Sequence, residues 1–469
     1  MLRPTIGCEV HAELKTATKL FCGCKNEFGG QPNTHCCPVC SGFPGTLPML
    51  NRKAVEFAVK AGLALHCEIN RFSKWDRKNY FYPDLPKAWQ TSQYDLPLCV
   101  GGYVEFTLDG EKKRVRLNRI HLEEDAGKLI HDGGVSRVDY NRCGVPLIEI
   151  VTEPDMHSAE EVTAFLAELK SVLKYTGVSD VKMQEGSLRC DVNLSVAADG
   201  APLGTRTETK NLNSFRSVAR SIAFETRRQI ELLESGGTVE QETRRFDDNR
   251  GIGYAMRSKE DAHDYRYFPE PDLMPVVFTD DDITAIKNGI PELKDARCAR
   301  YAALGLPAYD AEVLTADPEV SDLFDNVVGL GADAKKASNF IMSEVLRLAK
   351  NGDEIEIKIT AAALAEILGM LAADEINNLA AKSLLADVWG SDASPRKTAE
   401  EKGLLQSNDA GAIKEVFDAV IAANKKQAED FLAGNDKLRG YFVGQVMRAA
   451  GGKANPKLIN ALLDEMKGK

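Results

Sequence analysis

Glu9, His11 and Glu13 alternate with apolar residues in the segment Ile6-Gly7-Cys8-Glu9-Val10-His11-Ala12-Glu13-Leu14. A period of two puts those acids and that imidazole on one face of a strand. Neighbouring carboxylates repel unless a cation or a substrate lies among them, so the face is a candidate site for either. A solvated strand face is the ordinary alternative. The device recurs. Arg119–Lys128 carries His121, Glu123, Glu124 and Asp125, and Glu149 stands inside the apolar run Leu147–Val151. A desolvated carboxylate needs a cation or donors there, and a salt bridge would also satisfy it. Leu188–Ser195 presents Arg189, Asp191, Asn193 and Ser195 on one parity, and Arg206–Asn211 presents Arg206, Glu208 and Lys210. Such faces fit a cleft for a charged substrate with a hard cation such as Mg²⁺, which takes oxygen ligands and bridges phosphates. The turn-rich loop Arg77–Lys87 adds Lys78, Lys87, Tyr80 and Tyr82, suited to phosphate and base contacts or simply to a surface loop.

A second chemistry follows directly. Cys22-x-Cys24, twelve residues, then Cys37-x-x-Cys40 sets four thiols on two turns. Short CxC and CxxC loops let both sulfurs of a pair face one way, as Zn²⁺ held by four thiolates requires. Four protein ligands close the coordination sphere, so the expected role is structural. Cys36 and His35 are competing ligands with poorer spacing. Free cysteines in a buried hairpin are the alternative.

The elements that must hold these groups divide the chain. Up to residue 292 it reads as strand-rich α+β around an antiparallel sheet, with helices at Arg52–Leu65, Ala159–Tyr175 and Ser217–Leu233. From Leu293 to residue 406 the composition turns Ala- and Leu-rich, with helices at Lys335–Lys350, Ala361–Leu371 and Asp374–Val388 and almost no strand signal. Gly390–Arg396 reads as a turn. A small helical tail follows over 407–469, starting near Ser407-Asn408-Asp409. The fold class is thus α+β in front, then an all-α middle domain and an all-α tail domain.

With 469 residues, 43% hydrophobic and 28% charged, the chain has the composition of a globular protein of several domains. No apolar run approaches the ~20 residues of a membrane span. Met1-Leu2-Arg3-Pro4-Thr5 runs straight into the first strand without a leader, so the expected compartment is the cytoplasm. The net charge of −11 argues against a general nucleic-acid coat but allows a local basic patch. Six of the eleven cysteines crowd the N-terminus, which favours a metal over disulfides. There is no GxxxxGK[ST] loop, no GxGxxG after a strand and no GxSxG elbow, so any ATP binds through an unusual site and no amidase nucleophile is evident.

Longer strings carry a resemblance. They are Ile6-Gly-x-Glu9-Val-His11, Pro32-Asn33-Thr34, Arg77-Lys-Asn-Tyr-Phe-Tyr-Pro-Asp-Leu-Pro-Lys87, Glu123-Glu-Asp-Ala-Gly-Lys128 and Asn141-Arg-x-Gly-x-Pro-Leu-Ile-Glu149-Ile-Val-Thr-Glu-Pro-Asp155. Further on come Glu185-Gly-Ser-x-Arg-x-Asp191, Lys210-Asn-x-Asn-Ser214, Arg257-x-Lys259-Glu260, Asp264-Tyr-Arg-Tyr-Phe-Pro-Glu-Pro-Asp272, Gly444-Gln-Val-Met447 and Gly452-Lys-Ala-Asn-Pro456. Nearly end to end, the chain resembles the B-subunit family of the bacterial tRNA-dependent amidotransferases.

The resemblance implies a heterotrimer with an amidase, the A subunit, which releases ammonia from glutamine, and with a small C subunit. The B subunit phosphorylates the glutamyl or aspartyl group of Glu-tRNA(Gln) or Asp-tRNA(Asn) with ATP, and ammonia then displaces the phosphate. It further implies that Glu9, His11, Glu124 and Glu149 form the Mg²⁺ group and that Lys78 and Lys87 contact substrate or phosphate. Arg189, Asp191 and Lys210, with Tyr80 and Tyr82, are the remaining cleft candidates. The tail is expected to meet tRNA, and Gly434–Lys469 carries seven Lys/Arg against three acids. Departures are Gly434-Asn435 where Gly-Lys is usual, and Cys8 for the common Leu. Some members lack the four cysteines, so zinc is expected to brace rather than react. A noncatalytic zinc-containing tRNA-binding scaffold and a free-standing ammonia-dependent ligase are the rival readings.

Overall fold

The first strand organises the front of the chain. In the computed structural model, which describes residues 2–212, 214–258, 264–351, 354–406, 410–451 and 454–467, β1 spans Leu2–Glu13. Next come β2 (Glu68–Ile69), β3 (Phe72–Ser73), β4 (Asp76–Asn79), β5 (Trp89–Ser92), β6 (Cys99–Val100), β7 (Tyr103–Leu108) and β8 (Glu111–Glu124). Then follow β9 (Lys128–Asp132), β10 (Val135–Asp139), β11 (Pro146–Thr152), β12 (Leu188–Ala198), β13 (Thr207–Leu212), β14 (Glu242–Asp247), β15 (Ile252–Ser258) and β16 (Phe268–Pro269). Residues 1–293 and 294–469 are two compact units.

In the first unit, β1 sits between β12 and β11 in a ten-stranded sheet of order β15-β14-β13-β12-β1-β11-β8-β6-β2, with β7 on β8. The pairings are antiparallel except for β13 with β14, a departure from the purely antiparallel expectation. One face is largely apolar: Ile6, Val10, Ala12, Ile120, Leu122, Ile148, Ile150, Val192 and Leu194 are buried in one core. Helices α1 (Arg52–Ala64), α2 (Ala159–Tyr175) and α3 (Phe215–Glu234) pack on that core. The side chain of Ser158 caps α2 by accepting from the Glu161 N–H, a contact worth about 1 kcal/mol. Each of Phe165, Leu166, Leu169 and Leu173, which are all buried, contributes about 1.5–3 kcal/mol. Cys8 faces this core, fully buried.

The second unit is helical, with one core built from Tyr301, Phe324, Ile341, Leu364 and Leu384 among others and a separate one from Phe417, Phe431, Phe442, Ile459 and Leu463. Three details differ from the sequence reading. The helix expected at Lys335–Lys350 runs unbroken from Ala334 to Ala349, but a π turn at Ile341–Val345 lies between its α segments Ala334–Phe340 and Leu346–Ala349. The helix expected from Asp374 begins at Asn378, where the Asn377 side chain accepts from the Ala380 N–H. Within the Gly390–Arg396 turn, Ser394 caps a helix, Pro395–Glu401, with proline in the first turn, where its missing N–H costs nothing. A two-stranded pair, Lys350–Asn351 with Glu354–Ile355, also interrupts the helices. Asn213, Lys259, Glu260, Ser407–Asp409, Gly452, Lys453 and Lys469 lie outside the described residues. No helix among the described residues is long and apolar enough to cross a membrane.

Candidate functional site

The second face of the sheet is polar because its strands share one parity. Register pairs His11 with Glu149 across β1–β11, Glu149 with His121 across β11–β8, and His11 with Arg189 across β1–β12. A row of Arg189, His11, Glu149 and His121 therefore crosses four strands. Glu123 follows two residues after His121 on the same face. His11 Nε2 lies 3.3 Å from Glu149 Oε2 and 4.0 Å from Glu123 Oε1, and His121 Nε2 is 3.5 Å from both acids. One ligand atom from each of His11, Glu123 and Glu149 fits within 4.8 Å. Adjacent ligand atoms of an octahedral Mg²⁺ are about 3 Å apart, so modest contraction closes this set on a hard cation.

Electrostatics keep the group charged. Burial opposes the ionised form of Glu149, but His121, His11 and Lys78 outweigh it and hold the carboxyl well below its usual range. Burial likewise opposes Glu123, which the His121 hydrogen bond and the Lys78 charge bring down. Burial also works against protonated His11, yet Glu149 and then Glu123 raise it. Lys78, on β4, is raised despite burial by Glu123, Tyr267 and Glu149.

A second acidic set lies beside the first. Register places Glu9 opposite Asp191 and Asn193 opposite Glu208, and Glu9, Asp191 and Glu208 also fit within 4.8 Å. Asn193 donates to Glu9 at 2.9 Å, while Lys210 Nζ sits 2.7 Å from both Asp191 and Glu208. Burial, then Glu149 and Glu208, raise Glu9. Glu13 is pushed to about 8, by burial and by Asp125. Asp125 itself is ion-paired with Arg189 and Arg142.

The three acids and the imidazole expected from the resemblance as one Mg²⁺ group thus do not lie together. His11 and Glu149 meet, Glu9 belongs to the neighbouring set, and Glu124 is on the other side. Glu124 shares the parity of Ile120 and Leu122, so the strand's period of two turns it away from Glu123. Its carboxylate pairs with Lys87 and accepts from the Thr91 N–H at 2.9 Å. Lys87 and Glu124 line a cavity of about 330 Å³ with Cys40, Phe43, Trp89 and Arg77. Lys87 therefore faces that cavity, whereas Lys78 faces the acids. Sequence reasoning missed Glu123, His121 and Glu208 as members of the two sets; choosing the acid out of step with Ile120 and Leu122 would have found Glu123.

Tyr80 meets Tyr265 edge to face, with centroids 5.9 Å apart, and the Lys78 ammonium lies 5.1 Å from the Tyr265 ring. Tyr267 stacks on Tyr94 at 4.4 Å. This aromatic wall is drawn from three segments, two of them far from the third in the chain, so no local pattern in the sequence assembles it. Tyr82 stands apart and is 58% exposed.

The thiols of Cys22, Cys24, Cys37 and Cys40 fit within 4.8 Å of one another. Tetrahedral zinc with Zn–S of about 2.3 Å needs sulfurs about 3.8 Å apart, so this donor set fits zinc. A hydrogen bond from Cys22 draws Cys40 down to about 4, and burial pushes Cys24 up to about 11. Cys36 donates instead to the Asn33 carbonyl at 3.2 Å, and neither Cys36 nor His35 belongs to the cluster. In the tail, Arg439 pairs with Asp464, Lys467 with Asp436 and Lys457 with Asp374, so part of its positive charge is neutralised within the unit.

Comparison with known proteins bears on what this arrangement serves. Residues 4–284 match the model of the GatB/GatE catalytic domain, and residues 322–466 match the GatB domain. The chain belongs to the tRNA-dependent amidotransferase B-subunit family. The B subunit of the aspartyl/glutamyl-tRNA(Asn/Gln) amidotransferase of Caldicellulosiruptor saccharolyticus is 54% identical over 469 residues, covering 98% of each chain. That of Geobacter sulfurreducens is 52% identical over 467 residues, again 98% of each. The match to the catalytic-domain model takes in both acidic sets, the aromatic wall and the cysteine cluster.

Proposed function

We propose that the polar face of the sheet is where this amidotransferase B subunit phosphorylates the side-chain carboxylate of Glu-tRNA(Gln), Asp-tRNA(Asn) or both. ATP gives its terminal phosphoryl group to the carboxylate, releasing ADP. Ammonia then attacks the acyl carbon, phosphate leaves, one proton is lost and the amide remains. The ammonia comes from glutamine on the amidase, or A, subunit, and a small C subunit completes the heterotrimer. Mg²⁺, when bound, would screen the phosphate charges of ATP. The residues proposed to hold it are His11, Glu123 and Glu149, with Glu9, Asp191 and Glu208 as a second carboxylate set. Lys78 and Lys210 supply fixed positive charge for phosphate oxygens, and Arg189 is steered by Asp125. Tyr80, Tyr265 and Tyr267 offer a stacking surface for a base. Such a step is mostly positioning and charge neutralisation.

The observation that carries this reading is the pair of acidic sets side by side on one sheet face, each with its own lysine. A scaffold that merely holds tRNA has no use for it. The Cys22, Cys24, Cys37 and Cys40 cluster is proposed to bind zinc and to brace the loop beside β1. Residues 407–469, with their own apolar core, are proposed as the tRNA-binding tail domain, 293–406 as the middle domain and 1–292 as the catalytic domain. The compartment proposed is the cytoplasm. The test is amidation of both mischarged tRNAs by this chain reconstituted with its amidase and its small third partner. Wild type is expected to form Gln-tRNA or Asn-tRNA with ATP. Full activity in Glu149→Gln would overturn the phosphorylation role.

A further inference from the structure

Lys19 is fully buried, with none of its surface exposed. A buried ammonium is normally paired with a carboxylate. Among the described residues no carboxylate pairs with Lys19; its Nζ donates to Cys40 Sγ at 3.6 Å and to the Tyr140 carbonyl at 3.2 Å. One acceptor is thus a sulfur of the cysteine cluster, and the other is a neutral carbonyl. The backbone holds it there on both sides. The Lys19 N–H donates to the Cys24 carbonyl at 3.0 Å, and the Leu20 N–H to the Gly144 carbonyl at 2.8 Å. Gly144 has φ +83°, a left-handed conformation that favours glycine, and its Cβ position lies in van der Waals reach of the Cys40 Cβ, the Lys19 Cδ and Glu124.

Four thiolates on a divalent zinc leave two negative charges in a partly buried place, and a sulfur with a buried cation against it carries less of that charge. We propose that Lys19 is the outer partner of the zinc centre, donating an N–H···S hydrogen bond to Cys40 and neutralising part of the tetrathiolate charge. The proposal rests on the zinc reading above. Lys19 is a positioning residue, because it acts through Cys40. It also joins the centre to the active strands. Tyr140, its second acceptor, begins the stretch to Val145. There the Gly144 N–H donates to the Asp125 carbonyl and the Asp125 N–H to the Val145 carbonyl, at the end of β8.

The test is zinc content and zinc transfer to a chromogenic chelator from the purified full-length chain, wild type against Lys19→Met, Lys19→Gln and Lys19→Arg. Groups hydrogen-bonded to a metal's ligands change its affinity by about 10–100-fold. Lys19→Met, folded by circular dichroism, is expected to release zinc faster by that factor, with Lys19→Arg closer to wild type. If Lys19→Met does not fold, Lys19→Gln serves instead, since it keeps a donor and removes the charge; release about 10-fold faster is again expected. Zinc present in the wild type but released at an unchanged rate by these variants would overturn the role of Lys19 alone. Wild type that holds no zinc after loading with the metal salt would overturn the zinc reading, and the Lys19 proposal with it.

Discussion

Glu123 and Glu124 are adjacent in sequence and point to opposite sides of β8: Glu123 lies within 3.5 Å of His121, while Glu124 pairs with Lys87 beside the cysteine cluster. Two identical side chains one residue apart thus stand in different chemistry. The cause is the two-residue period of the strand.

That relationship separates the two acids experimentally. Glu123→Gln is expected to lower ATP-dependent phosphorylation by on the order of 10²–10³ in kcat, the scale for losing one charge-stabilising group. Glu124→Gln should leave the Mg²⁺ concentration for half-maximal rate unchanged. Both are read as ADP formation by the reconstituted trimer across a Mg²⁺ titration. The reverse pattern would return Glu124 to the metal group.

Lys78→Met should weaken ATP use by about 10²-fold, since a fixed cation at developing phosphate charge is lost. Tyr82→Ala, at an exposed position, should change the rate little. Steady-state kinetics at varied ATP distinguish the two, and an unaffected Lys78→Met would remove that lysine from the phosphate site.

Metal analysis of the purified chain should find one zinc per molecule. Cys37→Ser is expected to lose it, whereas Cys36→Ser keeps it, because the Cys36 thiol is turned to the Asn33 carbonyl. Stoichiometric zinc in Cys37→Ser would make Cys36 or His35 the better ligand.

Glu225 gives a pH prediction away from the site. Burial opposes its charge, but Arg228, Gln229 and Arg244 outweigh burial and hold its folded pKa below 4.5. Its contribution is therefore fully present above the unfolded value and is lost as pH falls through the folded one. Removing one partner of a buried pair costs about 3–5 kcal/mol. Glu225→Gln should thus be destabilised by roughly that much at pH 7, with a smaller loss than wild type as pH falls below 4.5. Urea unfolding at a series of pH values measures both; parallel curves for the two proteins would dismiss the ion pair as the cause.

Alternation along the chain was enough to read β1, its polar face and its apolar face, since a strand's period is local. Four cysteines at metal spacing were likewise legible, because short loops constrain sulfur geometry directly. The apolar period of Ala159–Tyr175 marks a helix there, and the structure adds Ser158 as its cap. What residue types and spacing could not decide was which acids meet. Glu149 reaches His11 and His121 only through the register of β11 with β1 and β8, and Glu9 reaches Glu208 only across β12. Most of those pairings join strands far apart in the chain, so no local pattern encodes them. The tyrosine wall and the burial of Lys19 against Cys40 belong to the same class. Sequence by itself determined the chemical groups and the faces of their strands; tertiary structure decided their partners, because register and packing are collective properties of the sheet and its core.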